Sequence, residues 1–390
     1  ARSEFRGYEW KRIDTAMLLW GFFGTVAYIL LHKNGGAVVY RLGWLFDGMG
    51  MYFLFRCLIH DWKDFEGIVT TFLVLSIPVA FFFAIENLTR RNFFSLFGGV
   101  PAITIEREGK LRCQGAFAHP ILAGCFWVGV LPWLATRWWE GAIGKMQALV
   151  GVFLATVIAF FAASSTPIAG LGAAMIAGLV FVLRRHMRKI RWGILFTLVG
   201  LHIVMKAPVW HLLARANIVG GSTGWHRYAL VDAAIRNFRE WFLLGTPSTG
   251  HWGRQLFDVT NEYVLQGVRG GVLTLIFFIA AMSYAYQGVG RMTRLFEGHR
   301  ARQYKAWALG ASLFAHTMMF LAVSYFGQIL SLWFLQLAII GSLAPKHPVL
   351  APPTAELASS ENERREEEEI EAKAPRGPAR AGRRLARIRY

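Results

Sequence analysis

Apolar runs of about twenty residues recur along most of this chain. A helix of about twenty apolar residues crosses the roughly 30 Å hydrocarbon core of a bilayer with its backbone polar groups bonded internally. Only 17% of the 390 residues are charged, whereas about a quarter are charged in a typical soluble domain. The sequence therefore predicts an all-α polytopic membrane protein.

Ten segments have the length and hydropathy of membrane spans. They cover approximately residues 13–31, 37–58, 67–86, 117–136, 146–163, 167–183, 192–207, 268–287, 306–323 and 328–343. Because ten is an even number, both chain ends are expected on one side of the membrane. The sequence opens on a charged stretch without a signal-peptide pattern. We therefore allow for upstream residues that could include further spans, and ten is a minimum count of spans.

The charges between the spans predict the orientation. The loops that share a side with the termini are rich in arginine and lysine, and this excess marks the cytoplasmic side. The residues are Arg137, Lys145, Arg184, Arg185, Arg188, Lys189, Arg191, Arg291, Arg294, Arg300, Arg302 and Lys305. These short clusters also explain much of the net charge of +18, so we expect cytoplasmic termini and no nucleic-acid partner.

Residues 1–344 are predicted to form the transmembrane domain, and residues 345–390 a disordered, charged cytoplasmic tail whose basic end contacts membrane lipid. Two outward loops are unusually long, at about 87–116 and 208–267. The second is long enough to contain helices of its own. Loops of this length in compact proteins usually carry function.

The first long loop carries cations on the side where the charge bias disfavours them, and it ends in Arg112-Cys-Gln-Gly-Ala-Phe-Ala-His119-Pro120. The second carries the candidate residues His226, Arg227, His251, Asp258, Asn261, Glu262 and Arg269. Guanidinium groups match phosphate oxygens bidentately and stay charged, which suits them to a diphosphate. A nearby carboxylate or imidazole could take the proton from an acceptor hydroxyl. The loops thus predict a diphosphate site.

Each candidate also has a structural interpretation. His119 could cap the helix that starts at Pro120, and His251 could lie in solvent beyond its Gly-Pro-Ser turn. Asp258 and Glu262 would share one face if their segment is helical, or could be acids at a helix start. Gly270-Gly271 is expected to permit close helix packing.

Other features exclude whole classes of site. The sequence contains no credible strands, and hence no phosphate-binding loop after a strand. Its three cysteines have no metal-ligand spacing.

On these residues the chain resembles the O-antigen ligase/polymerase superfamily of bacterial membrane glycan transferases, over roughly residues 100–340. The likeness rests on the Arg112–Pro120 motif, the Arg227 helix running to Gly245-Thr-Pro, and Asn261-Glu-Tyr followed by Gly270-Gly271. The resemblance implies a GT-C-like fold in the bacterial inner membrane with a large periplasmic loop.

The resemblance also implies a reaction. An undecaprenyl-diphosphate-linked glycan would be transferred to a lipid or glycan acceptor by an inverting mechanism that needs no metal or other cofactor. By position, Arg227 is similar to the arginine that holds the diphosphate, and Asn261 to the asparagine of a His-Asn pair.

Two positions depart from the family pattern. Thr260 occupies the histidine position, and Ser165-Thr166 stands where ligases tend to have a small hydroxyl residue followed by arginine. If the chemistry persists, Asp258, Glu262 or His251 would act as the base. Arg112 or another outer arginine would replace the missing cation.

Two other functions remain open. A transporter or flippase for an anionic lipid-linked substrate would use the outer cations for docking, although such proteins usually show interrupted helices near the midplane and internal symmetry, and the sequence shows neither. A catalytically inactive scaffold of an envelope assembly would fit the two departures.

Overall fold

The computed structural model describes residues 8–215 and 224–346. Within them the α-helices are α1 (Arg12–His32), α2 (Gly35–Leu58), α3 (Trp62–Thr89), α4 (Pro120–Leu134), α5 (Gly141–Phe161), α6 (Ser165–Leu179), α7 (Met187–Val204), α8 (Leu212–Arg215), α9 (Gly224–Arg236), α10 (Phe238–Trp241), α11 (Glu262–Leu295), α12 (Arg300–Met319) and α13 (Gln328–Leu343). The predicted tail from residue 347 onward lies outside the described residues.

Each of the ten predicted segments overlaps one of these helices. In the described part of the chain, six helices are long and apolar enough to cross a membrane. They are Arg12–His32, Trp62–Thr89, Pro120–Trp139, Gly141–Phe161, Ser165–Val204 and Glu262–Leu295. The protein is therefore an all-α membrane protein by its architecture.

Helix ends fall at capping residues. The Asn34 side chain accepts a hydrogen bond from Ala37 N (2.7 Å) at the start of α2, and the Asp61 side chain accepts bonds from the first turn of α3. His119 caps α4, with Ile121 N donating to its Nδ1 over 3.2 Å. Such side chains satisfy amide groups that a helix start leaves without partners.

One charge inside α2, that of Arg56, is paired within the bundle. Arg56 Nε lies 2.9 Å from Asp14 Oδ1 of α1, and both side chains are buried. Tyr52 donates to the same carboxylate at 2.6 Å. A buried ion pair needs further hydrogen bonds of this kind to offset desolvation.

The helix surfaces expose large apolar side chains. Examples are Phe46, Phe81, Phe153 and Phe196, each more than half exposed. Water-soluble monomers rarely expose such continuous apolar surface, whereas contact with hydrocarbon favours it.

The prediction of no strands is wrong for the first long loop. Strands β1 (Ile105–Arg107) and β2 (Lys110–Arg112) pair as an antiparallel hairpin, with Ile105 opposite Arg112. The turn places Glu108 and Gly109 at positive φ, and three-residue strands are too short to leave a clear alternating pattern in a sequence.

Helix α11 is interrupted at Gly271, whose φ of 73° and ψ of −178° are not helical. A segment of the second long loop fills the interruption: Thr246 N donates to Val268 O, and Val272 N donates to Phe242 O, both at 2.7 Å. Gly271 also allows close packing, because a Cβ there would overlap the carbonyl oxygen of Leu243. The chain break at this position is a feature that the sequence did not predict.

The bundle has two distinct ends. At the loop end, α3, α5 and α12 finish and α4, α6, α11 and α13 begin, together with segments 90–119 and 224–261. At the basic end, Lys305 pairs with Glu66 and Glu140, the latter over 2.9 Å, and Arg185 pairs with Glu297. The basic loops singled out in the sequence thus meet at one end of the bundle.

Candidate functional site

The first long loop is fixed to the bundle at the loop end. Asn92 Nδ2 donates to Gly115 O over 2.7 Å, and Cys113 N donates to Phe161 O over 2.9 Å. The Glu86 carboxylate accepts hydrogen bonds from the amides of Gln114 and Gly115. These bonds hold Arg112, the last residue of β2, beside the start of α4 and the end of α5.

Arg112 is a buried cation without an anionic partner among the described residues. It is only 8% exposed, and its Nε has no hydrogen-bond partner among residues 8–215 and 224–346. Burial lowers its pKa, and nearby Arg107 lowers it further. A guanidinium in this setting is costly unless an anion joins it.

Arg227 is in the same condition. It lies on α9, is 7% exposed, and donates from Nη2 to Thr166 Oγ1 of α6 over 3.1 Å. Its Nε finds no partner in the described part of the chain, and burial lowers its pKa. A neutral hydroxyl compensates only part of the charge, so this site also favours an anion.

His119 connects the two long loops electrostatically. Burial lowers its pKa, the charge of Arg112 lowers it further, and the carboxylate of Asp258 raises it. Asp258 also accepts a hydrogen bond on its backbone oxygen from His226 Nε2, at 3.1 Å. Arg112, His119, Asp258 and His226 are linked in this way, whereas Arg227 is connected to them only as the chain neighbour of His226 and contacts Thr166 of α6. We term these five predicted residues the loop-end cluster.

The two predicted acids have different surroundings. Asp258 is exposed and precedes α11, so it does not share a helical face with Glu262. Its carboxylate makes no hydrogen bond to another described residue. Glu262 is buried and accepts bonds from Tyr325 N and Gln266 Nε2, both at 2.7 Å. Asp258 therefore has the more accessible of the two carboxylates.

Asn261 forms the cap of α11. Its Oδ1 accepts from Val264 N at 3.0 Å and its Nδ2 donates to Leu321 O at 3.1 Å. Beside it, the Thr260 hydroxyl is buried without a hydrogen-bond partner in the described regions. Within the described residues, the Thr260 side chain therefore leaves one polar atom unsatisfied.

His251 and Arg269 make contacts of their own. His251 Nε2 lies 3.0 Å from Glu240 Oε2. Partial burial would raise the pKa of Glu240, but hydrogen bonds from Thr246, Trp252 and His251 hold it below the usual value. Arg269 lines a cavity with Arg41 and Glu262.

Sequence reasoning missed two contributors to these sites. The sequence indicates Thr166 as a hydroxyl at a break in an apolar run and as a departure from the ligase pattern. It does not indicate that Thr166 is the hydrogen-bond partner of Arg227. Arg41 lies within a predicted span, and an ionisable residue inside an apolar run is itself a signal of function or pairing.

No group of three or more potential metal-binding side chains is assembled in the described ranges. No protein-family model and no curated protein matches this chain.

Proposed function

We propose that the protein is a membrane glycosyltransferase of polysaccharide assembly that transfers or polymerises an undecaprenyl-diphosphate-linked glycan at the periplasmic face. The observation that carries the proposal is the pair of buried guanidinium groups, Arg112 and Arg227, at one end of an apolar bundle. Neither forms an ion pair with a carboxylate of the described residues. Two such cations suit the two phosphates of a lipid-linked leaving group.

The reaction follows from this assignment. An acceptor hydroxyl attacks the anomeric carbon while the bond from that carbon to the diphosphate oxygen breaks, which inverts the configuration. Undecaprenyl diphosphate leaves with its negative charge held by Arg112 and Arg227. The acceptor proton passes to the exposed carboxylate of Asp258, which acts as the base and whose charge also affects the pKa of His119.

The departures from the family pattern fit a rearranged site. Thr166 contacts Arg227 where a ligase arginine would stand, and Arg112 supplies the second cation from the first long loop. The His-Asn pair has no counterpart because Thr260 replaces the histidine and Asn261 caps α11. Asp258 takes the role of base in this proposal.

The membrane arrangement belongs to the same proposal. Ten helices span the bacterial inner membrane, the loop end faces the periplasm, and both termini are cytoplasmic. Three of these helices, α2, α12 and α13, fall outside the six long apolar segments of the described chain. The Arg56–Asp14 pair, which buries a charge of α2 against α1, supports the inclusion of α2.

Reconstituted transfer tests the proposal. Purified protein in liposomes is given labelled undecaprenyl-diphosphate-linked glycan and acceptor, and product is followed by gel. A hydrogen bond to a charged group contributes about 1.5–3 kcal/mol, so Arg112→Gln and Arg227→Gln should each slow transfer roughly tenfold or more. Arg254→Gln, an exposed arginine of the same loop, is the matched control. Transfer at the normal rate in both site variants would refute the assignment.

The transporter remains the second candidate because α11 is interrupted at Gly271. The interruption lies at the loop end, and residues 272–295 after it are long enough to cross the hydrocarbon core alone. Substrate movement across the liposome membrane without any change in its covalent structure would favour the transporter. An absence of both activities would favour an inactive scaffold.

A further inference from the structure

A second positively charged site lies between α1, α2, α11 and α13. It is a cavity of about 50 Å³ whose wall includes Trp20, Arg41, Trp44, Glu262, Gln266 and Arg269. A volume of this size exceeds that needed for a single water molecule. The cavity is lined by none of the residues of the loop-end cluster.

Arg41 is the buried cation of this cavity. It is 7% exposed and donates from Nη2 to Gly24 O at 2.9 Å. Its guanidinium stacks against the rings of Tyr28 and Trp44, with centroids 4.6 and 5.2 Å away. Its Nε, however, has no hydrogen-bond partner among residues 8–215 and 224–346.

Arg269 adds a second positive charge that the single carboxylate of the cavity does not balance. The charges of Arg41 and Arg269 repel each other. Glu262 attracts Arg269, but its two oxygens already accept hydrogen bonds from Tyr325 N and Gln266 Nε2. The cavity is therefore set up for an anion.

The surroundings indicate which anion fits. Arg41 lies within the first two turns of α2, near aromatic side chains of the type that gather at membrane interfaces. On the same helix, Val39, Leu42 and Phe46 are exposed apolar residues at helical spacing, which suits contact with acyl chains. Basic pockets between membrane helices bind the headgroups of anionic lipids.

We infer that this cavity binds the phosphate of an anionic membrane lipid, with Arg41 and Arg269 as its ligands. Arg41, whose side chain lines the cavity, donates to a phosphate oxygen, and Arg269 contacts the same group from the exposed side. The site is separate from the proposed diphosphate site and does not depend on glycan transfer.

Lipid retention tests the inference. Delipidated protein in detergent is titrated with phosphatidylglycerol or zwitterionic phosphatidylcholine, and bound lipid is counted by native mass spectrometry. The natural sequence and Arg254→Gln should bind phosphatidylglycerol in preference to phosphatidylcholine. Arg41→Gln and Arg269→Gln should weaken phosphatidylglycerol binding about tenfold, the factor that corresponds to about 1.4 kcal/mol.

Arg269→Gln keeps the test valid if Arg41→Gln fails to fold, because Arg269 is exposed and makes no hydrogen bond to another described residue. Equal binding of the two lipids, or unchanged phosphatidylglycerol binding in Arg269→Gln, would overturn the inference. In a final competition experiment, inorganic phosphate is added to the lipid-bound protein. Displacement of the lipid by millimolar phosphate would assign the cavity to a soluble anion instead.

Discussion

At the residue scale, Arg227 has a threonine hydroxyl where a buried guanidinium ordinarily has a carboxylate. A charged residue at the centre of a membrane helix costs about 2.5–3.5 kcal/mol even on the permissive insertion scale. Arg112 and Arg227 are buried at the edge of the bundle, so their cost is smaller but of the same origin. An anion that binds both guanidinium groups offsets the free-energy cost of burying their charges and so stabilises the folded protein.

The pKa of His119 reports the assembly of the loop-end cluster. Removing the positive charge in Arg112→Gln should raise this pKa, because the protonated imidazole is no longer repelled. Removing the negative charge in Asp258→Asn should lower it further below its usual value of about 6.5. Histidine-selective NMR titration in detergent measures both shifts.

Arg254→Gln is the control and should leave the His119 pKa unchanged. Shifts of the same sign in Arg112→Gln and Asp258→Asn would show that these residues do not flank the imidazole as described.

Residue types drew attention to the members of the loop-end cluster, since cations on the predicted outer side contradict the charge bias. They did not separate Asp258 from Glu262. The two acids differ because of where α11 begins: Glu262 is the first helical residue. Its carboxylate accepts a hydrogen bond from Tyr325 N, which lies in the loop between α12 and α13. A contact over such a sequence separation leaves no local signal.

At the element scale, the interruption of α11 depends on the absence of a side chain at Gly271. A Cβ there would overlap the Leu243 carbonyl oxygen, and its backbone conformation is one that glycine adopts almost exclusively. The sequence shows the pair Gly270-Gly271, but glycine favours both close helix packing and a break in a helix. The break becomes evident only from the position of segment 242–246, which bonds to the backbone on either side of Gly271.

Gly271→Ala should therefore destabilise the protein by more than about 1–3 kcal/mol, the cost of the backbone strain alone. Gly290→Ala is a matched control in the same helix, with nothing within 4 Å of the added Cβ. Alanine there should stabilise by roughly 0.5–1 kcal/mol. Thermal unfolding in detergent compares the two, and equal melting temperatures would contradict the described break.

At the scale of the whole molecule, helix positions follow from apolar length alone, which is why each predicted span overlaps a helix. The number of helices that cross the membrane does not follow as directly from the length and hydropathy of the apolar segments. Hydropathy penalises Arg56 in α2 although its charge is paired with Asp14, and the pairing is visible only once α1 and α2 are packed.

The proposed orientation predicts which end of the bundle is accessible from outside. With Cys57 replaced by serine, Arg254→Cys at the loop end should react with a membrane-impermeant maleimide in intact spheroplasts. Lys189→Cys, exposed in α7 beside the basic end, should react only after lysis. The remaining Cys113 and Cys125 are buried, and a reversed labelling pattern would place the loop end in the cytoplasm.

The most direct measurement is the affinity of the protein in nanodiscs for undecaprenyl diphosphate, compared among the natural sequence, Arg112→Gln, Arg227→Gln and the double variant. Each single change should weaken binding about tenfold or more. Because both arginines hold one diphosphate, the double variant should lose less free energy than the two single losses combined. Unchanged affinities, or losses that add to within about 0.3–0.5 kcal/mol as independent sites do, would contradict a shared diphosphate site.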